Sequence, residues 1–314
     1  MPAIEPSVTW MTVAILEPNW HQAPMSNESH QVVDNIWIGR LPAWLLELPQ
    51  DDVLRTELRN ELEDEWDHCF FAQYAAPPSS SGAAADYDTA PEETAQRATV
   101  EAMQRAVLAL WLVRPSSLSL TKFIHAELRD NQWVWRHLLS FDGTTPLHSY
   151  RSVELVAADF QAARPVASAL AKLDRQGALR TASSSLQVAL LQRTWSMRFL
   201  ALWQALEGLF GPTDGREITF RLSQRMALFL ESDSQSAVSV FRSAKSSYGW
   251  RSKAVHGMRV GDLPDATAAE LLEEAERLVR RALLNILHDD KLVTLFEGKA
   301  RESYLDELAF GRRG

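Results

Sequence analysis

Two rhythms of apolar and polar residues run along the chain, and one replaces the other near residue 158. Residues 7–16 and 31–38 are short runs rich in β-branched and aromatic side chains, which predicts strands. Residues 118–128 and 132–141 read as a hairpin pair, with Arg129-Asp130-Asn131 supplying the turn chemistry. Residues 152–157 are a further strand candidate. Residues 77–91 (Pro-Pro-Ser-Ser-Ser-Gly-Ala-Ala-Ala-Asp-Tyr-Asp-Thr-Ala-Pro) have no apolar period and read as a loop. Residues 92–113 then carry Val100, Met103, Ala106, Val107 and Leu110 on one side, as a helix does.

After Asp159 the strand signals stop. Helices are expected over residues 160–173 and 182–210. The second carries Trp195, Phe199, Leu202, Leu206 and Leu209, a stripe spaced for one helix face. Gly211-Pro212 should end it, the Gly in a left-handed C-terminal position and the Pro unable to continue. Residues 217–230 and 234–256 form two more helices, and Gly257 stops the latter. A fifth, capped by Asp265 or Thr267, runs to residue 288, and residues 292–310 make a last one. The expected architecture is an α+β region over residues 1–158, followed by an all-α bundle over 159–314. No internal repeat is visible.

The length agrees with two domains, since 314 residues exceed what one core usually organises. Apolar residues at 46% and charged residues at 23% are globular values, which excludes a wholly disordered chain. The single Cys69 excludes a disulfide scaffold and a multi-cysteine zinc site. The first residues lack a signal-peptide pattern, and the longest apolar run, 106–113, is too short to span a membrane. A cytoplasmic protein without membrane or cofactor is the expectation.

The net charge of −9 argues against a general nucleic-acid-coating protein, but it is unevenly spread. Residues 176–261 hold eleven Lys or Arg against five acids, whereas residues 51–67 hold eight acids against Arg55 and Arg59. A basic segment of this kind serves either as an anion-binding face or as a solvated helix surface.

Most catalytic templates fail. There is no Gly-rich phosphate loop, no His-Glu-x-x-His and no Gly-x-Ser-x-Gly, and no pair of His at ligand spacing on one helix. What remains is Tyr248-Gly-Trp-Arg251-Ser252-Lys253-Ala-Val-His256-Gly257, an Arg-x4-His pair at the end of an amphipathic helix. The spacing alone proves nothing, because Arg281 and His288 match a looser form of it inside an apolar stretch. Context separates them. His256 precedes a Gly that admits close approach of another backbone or a phosphate, and a helix C-terminus favours the imidazolium. An Arg with a titratable His and no metal ligands suits phosphate-directed acid–base chemistry.

Three segments, Trp203-Gln-Ala-Leu-Glu207-Gly-Leu-Phe210, Ile218-Thr-Phe220-Arg221-Leu-Ser-Gln-Arg225-Met-Ala-Leu-Phe229 and Tyr248 to Gly257, together resemble the Apea-like HEPN family of the HEPN ribonuclease superfamily. The resemblance covers residues 186–288 and leaves the first 158 without a relative. It implies a helical domain that dimerises and cuts RNA without a metal, with Arg251 and His256 as the catalytic element. Ser252 then occupies the polar position after the Arg, where many members carry Asn, Asp or His. Glu207 matches an acidic position on an earlier helix, able to hold Arg251. Lys253, Arg225 and Tyr248 are candidates for RNA or phosphate contact, the plainer roles being surface charges for Lys253 and Arg225 and packing for Tyr248, which shares a helix face with Ala237, Phe241 and Ala244.

An antiphage or toxin-like endoribonuclease is the resulting expectation, a homodimer whose N-terminal region senses a phage-derived or other trigger. The alternative is a non-catalytic HEPN module for dimerisation or for nucleotide or RNA binding. For Arg251 and His256 the plainer roles are a salt bridge to Glu207 and a helix cap.

Overall fold

A computed structural model of the chain describes residues 7–16, 28–46, 68–76, 91–116, 118, 120–140, 155–173, 177–192, 194–255 and 264–310. An antiparallel sheet region is followed by a helical region. The chain divides into two compact units, residues 1–143 with 150–167, and residues 144–149 with 168–314. Among the described residues no helix is long and apolar enough to cross a membrane.

Six antiparallel strands build the first unit: β1 (Val8–Leu16), β2 (His30–Val33), β3 (Ile36–Arg40), β4 (His68–Ala76), β5 (Leu120–Arg129) and β6 (Gln132–Ser140). Their order across the sheet is β2-β3-β4-β1-β5-β6. β1 lies near the middle, and its residues from Trp10 to Leu16 are all buried, so it packs on both faces. One face presents Met11, Val13, Ile15, Cys69 and Ile124, against which Leu45 of the short α1 (Ala43–Leu46) packs. Next along β1 come Trp10, Thr12 and Ala14 on the opposite face. The long helix α2 (Pro91–Val113) packs on β1, β4 and β5.

Two sequence expectations change here. Residues 31–38 form a hairpin instead of one strand, because Asp34-Asn35 turn the chain and Asn35 adopts a left-handed φ of 62°. The strand β4 was not expected, because its sequence His-Cys-Phe-Phe-Ala-Gln-Tyr-Ala-Ala has no clean alternation. It lies between β3 and β1 with Cys69, Phe70 and Ala72 all buried, so both faces are apolar. The β5–β6 turn is as expected, Asp130 and Asn131 both having positive φ, the geometry of a two-residue hairpin. In the 152–157 strand candidate, 152–154 lie outside the described residues and Ala157 begins a helix. Of the 77–91 loop, residues 77–90 also lie outside them, as does the acidic run 51–67.

The sheet unit also holds buried polar groups that pair with one another. Thr12 Oγ1 is 2.7 Å from His125 Nδ1 and 3.0 Å from Tyr74 Oη. Buried Glu127 accepts from Arg136 at 2.9 Å and pairs with Arg129 at 3.0 Å. Arg136 is free to do so because the register of β6 shifts at that point. The first turns of α3 (Ala157–Lys172) belong to this unit as well. Asp159 accepts a hydrogen bond from Val156 N at 2.9 Å, closing the helix start. Phe160 stacks on His30 with ring centroids 5.0 Å apart.

Helices alone build the second unit: α4 (Ala178–Leu191), α5 (Trp195–Phe210), α6 (Ile218–Leu230), α7 (Ser234–Val255), α8 (Asp265–Leu287), α9 (Asp290–Glu297) and α10 (Arg301–Ala309). Residues 182–210 are therefore two helices. Gln192 and Thr194 are extended, and that break lets α4 pack along α5. Residues 292–310 are likewise divided, with Gly298 extended at the end of α9. The α8 N-cap position falls on Pro264, so Asp265 and Thr267 lie within the helix.

α5 is central. Phe199, Leu202, Trp203, Leu206, Leu209 and Phe210 are fully buried, and α4, α6, α7 and α8 all pack on it. Only a narrow side with Met197 and Gln204 stays exposed, because a helix this apolar has to be covered over most of its surface. Its Arg198 is fully buried and reaches Glu276 of α8 at 2.9 Å. The carbonyls at its C-terminal end accept from two guanidinium groups. Arg225 of α6 donates to Phe210 O at 3.3 Å, and Arg301 of α10 donates to Gly208 O. Burial lowers the Arg301 pKa from its usual value.

Replacing Glu276 by Leu leaves a buried guanidinium without its carboxylate and should cost about 3–5 kcal/mol. The double variant Arg198→Met/Glu276→Leu should recover most of that loss. Urea unfolding of the three proteins measures both, and equal stability of the two variants would contradict the role assigned to the pair.

Candidate functional site

Glu207 sits one turn before the end of α5, four residues after Trp203. α7 approaches this face with Tyr248 and Arg251, which lie three apart and therefore on the same side of their helix. Tyr248 Oη donates to Glu207 Oε1 at 2.6 Å, and Arg251 Nη2 donates to Glu207 Oε2 at 2.9 Å. One carboxylate thus holds two partners, one at each oxygen. The Arg251 guanidinium carbon lies 5.6 Å from the centroid of the Tyr248 ring. Trp203 meets that ring edge to face, with centroids 5.2 Å apart and planes at 81°.

The cluster grades from buried to exposed. Trp203 is fully enclosed and Tyr248 is 6% exposed. The Glu207 and Arg251 side chains are 25% and 27% exposed, so the ion pair itself meets solvent. Burial raises the Tyr248 pKa above the ordinary phenol value, and the Glu207 bond and charge add to it while Arg251 opposes. The phenol therefore stays protonated and remains a donor.

Sequence reasoning paired Arg251 with Glu207 and named Tyr248 separately, and the fold brings these three together. Ser252 and Lys253 are exposed on the last turn of α7. The Lys253 Nζ lies 3.8 Å from the centroid of the Trp250 ring, a cation–aromatic pair beside the cluster. His256 and Gly257 lie outside the described residues, which stop at Val255 and resume at Pro264.

Arg225 is placed elsewhere. It is 2% exposed, and its Nη2 donates to Glu302 at 2.6 Å and to Asp306 at 2.7 Å. Burial alone would weaken its charge, but these two carboxylates outweigh that and hold its pKa above the usual value. Arg221 of α6 reinforces the same contact, 3.4 Å from Glu302 and bonded to Asp214 at 2.8 Å. Both guanidinium groups tie α6 to α10.

The sequence reading missed the Arg198–Glu276 pair, Arg198 being one of the eleven basic residues of 176–261 whose role was left open between an anion-binding face and a solvated surface. Its place between Trp195 and Phe199 was the available signal, because a charge inside an apolar stripe has to be matched. The left-handed reading of Gly211 also changes. It is extended at φ −64°, ψ 142°, and its N–H donates to Glu207 O. Its lack of a side chain matters for closeness instead, since a Cβ there would lie 2.5 Å from that carbonyl oxygen.

Gly211→Ala should therefore move the backbone carrying Glu207 and lower stability by about 1–3 kcal/mol, read from thermal unfolding. Glu207→Gln should lower the Tyr248 pKa, because it removes the charge that opposes the phenolate. Near-ultraviolet phenolate titration, with Tyr248→Phe as the subtraction control, reads this directly. The sign for stability follows from the raised pKa. The Tyr248 contribution is present below the unfolded phenol value of about 10 and is lost as pH rises through the folded one.

Comparison with known proteins returned no match to a family model, to a curated protein or to a solved structure.

Proposed function

We propose that the helical unit is a metal-independent endoribonuclease of the HEPN type, with Arg251 and His256 as its catalytic pair. The observation that supports this reading is the meeting of Glu207 and Arg251 at 2.9 Å, across 44 residues of sequence, with Arg251 still open to solvent. These are the acidic side chain and the guanidinium that the family resemblance marks on its two helices. A guanidinium held through one nitrogen keeps other N–H groups to offer a phosphate.

In this reading the RNA 2′-hydroxyl attacks the adjacent phosphorus while a neutral imidazole takes its proton. The bond to the 5′-oxygen breaks, and an imidazolium protonates that leaving oxygen. A homodimer supplies both imidazoles, one His256 from each protomer, and the two Arg251 groups stabilise charge on the five-coordinate phosphorus. Lys253 contacts flanking phosphates, and Ser252 adds a hydroxyl next to the pair. The products are a 2′,3′-cyclic phosphate and a 5′-hydroxyl. The sheet unit, in this reading, senses a phage-derived or other trigger in the cytoplasm.

A second reading has one observation in its favour. Arg251 already has a carboxylate partner, as it would in a non-catalytic HEPN module that binds RNA or a second protomer.

The purified full chain should cleave mixed RNA in EDTA, and His256→Ala and Arg251→Ala should each lose on the order of 10²–10⁴ in rate while remaining folded. An all-2′-deoxy substrate should stay intact. RNA binding without cleavage would favour the second reading, and cleavage of the deoxy strand would overturn the mechanism.

A further inference from the structure

We infer that Tyr248 is a positioning residue for Arg251, acting through the Glu207 carboxylate. The inference rests on the reading of Arg251 as a phosphate-facing group, and its argument is geometric. A carboxylate bonded at one oxygen to one flexible guanidinium can rotate about its terminal torsion, which is broad for Glu. Glu207 is bonded at both oxygens, to Tyr248 at 2.6 Å and to Arg251 at 2.9 Å, and that fixes its plane.

Tyr248 can impose this because it is itself held. Its ring meets Trp203 edge-on, and Trp203 belongs to the same helix as Glu207, one turn earlier. The Arg251 guanidinium returns to the Tyr248 ring face at 5.6 Å, closing a loop of three side chains, Tyr248, Glu207 and Arg251, from two helices. An ordinary helix–helix ion pair needs no such closure. Arg251 Nε is buried and makes no hydrogen bond among the described residues. Within the cluster its bond through Nη2 and its place over the Tyr248 ring hold the guanidinium, so Glu207 directs it and Tyr248 directs Glu207.

Placement of Tyr248 as a base-stacking or phosphate-contacting residue fits this geometry less well. Its hydroxyl is committed to Glu207, and the ring is 6% exposed. Removing only the hydroxyl, as in Tyr248→Phe, keeps the packing on Trp203 and releases one oxygen of Glu207. Arg251 then loses its fixed direction toward charge that develops during the reaction. The loss should appear in kcat more than in KM.

The test uses the full chain and four proteins: wild type, Tyr248→Phe, Arg251→Ala and the double variant. Tyr248→Phe should reduce kcat for RNA cleavage by about tenfold or more with KM little changed. In the Arg251→Ala background it should have no further effect, because its action passes through Arg251. Full activity of Tyr248→Phe beside a silent His256→Ala would overturn the positioning role and leave the nuclease reading intact. An equal loss in both backgrounds would also overturn it.

If wild type cleaves no RNA, the nuclease reading fails and the positioning is decided separately. The nitrogen-15 resonance of the Arg251 Nε–H should then shift or broaden in Tyr248→Phe. An unchanged resonance would overturn the inference.

Discussion

The burial of most of the α5 surface is the constraint from which the second unit follows. With Phe199, Leu202, Trp203, Leu206 and Leu209 fully buried, solvent reaches this helix only along a narrow side that carries Met197, Gln204 and the edge of Glu207. Its two ionisable side chains therefore dictate what the neighbours must bring. Arg198 requires Glu276 of α8, and Glu207 requires Tyr248 and Arg251 of α7. Its terminal carbonyls draw in Arg225 and Arg301. Apolar packing alone tolerates sliding of one helix past another, whereas each of these contacts is satisfied at one relative placement. The group proposed as functional is thus one of the contacts that specify the bundle, with its outer edge left in solvent.

The first unit obeys the same rule in sheet form. β1 is buried on both faces, so the hydroxyl of Thr12 has nowhere to go except to His125 and Tyr74 on the flanking strands. Glu127 next to them is matched by two guanidinium groups, one delivered by a register shift in β6. In both units polar atoms in the interior act as alignment marks between neighbouring elements.

Long, strongly periodic segments were legible in the sequence. α2, α6, α7 and the β5–β6 hairpin fall close to where the apolar period and the Asp130-Asn131 turn put them. What failed to show was interruption of a helix by residues without a strong breaker. Gln192 and Thr194 have no Gly or Pro, and tertiary packing of α4 on α5 decides the break. β4 was hidden for a related reason, since a strand buried on both faces loses the alternation that marks a strand. In the candidate site, the residue types of Glu207 and Arg251, their helices and the packing side of Tyr248 were legible, but the bond from Tyr248 to Glu207 was not. Arg225 and Arg251 look alike in sequence, each on an amphipathic helix. Only the arrival of Glu302 and Asp306 beside one of them separates a buried tie from a solvent-edge guanidinium.

That tie has a consequence in time. The carboxylates that match Arg225 come 77 and 81 residues later in the chain. While a ribosome is still extending the polypeptide, α5, α6 and α7 can all be present and the guanidinium still lack both partners. The bundle interior then contains a charge that its neighbours cannot yet answer, and domains are synthesised from the N-terminal side at about 5–20 residues per second. Completion of the helical unit is deferred until α10 has emerged, so the geometry around Glu207 becomes final several seconds after the residues that form it were made.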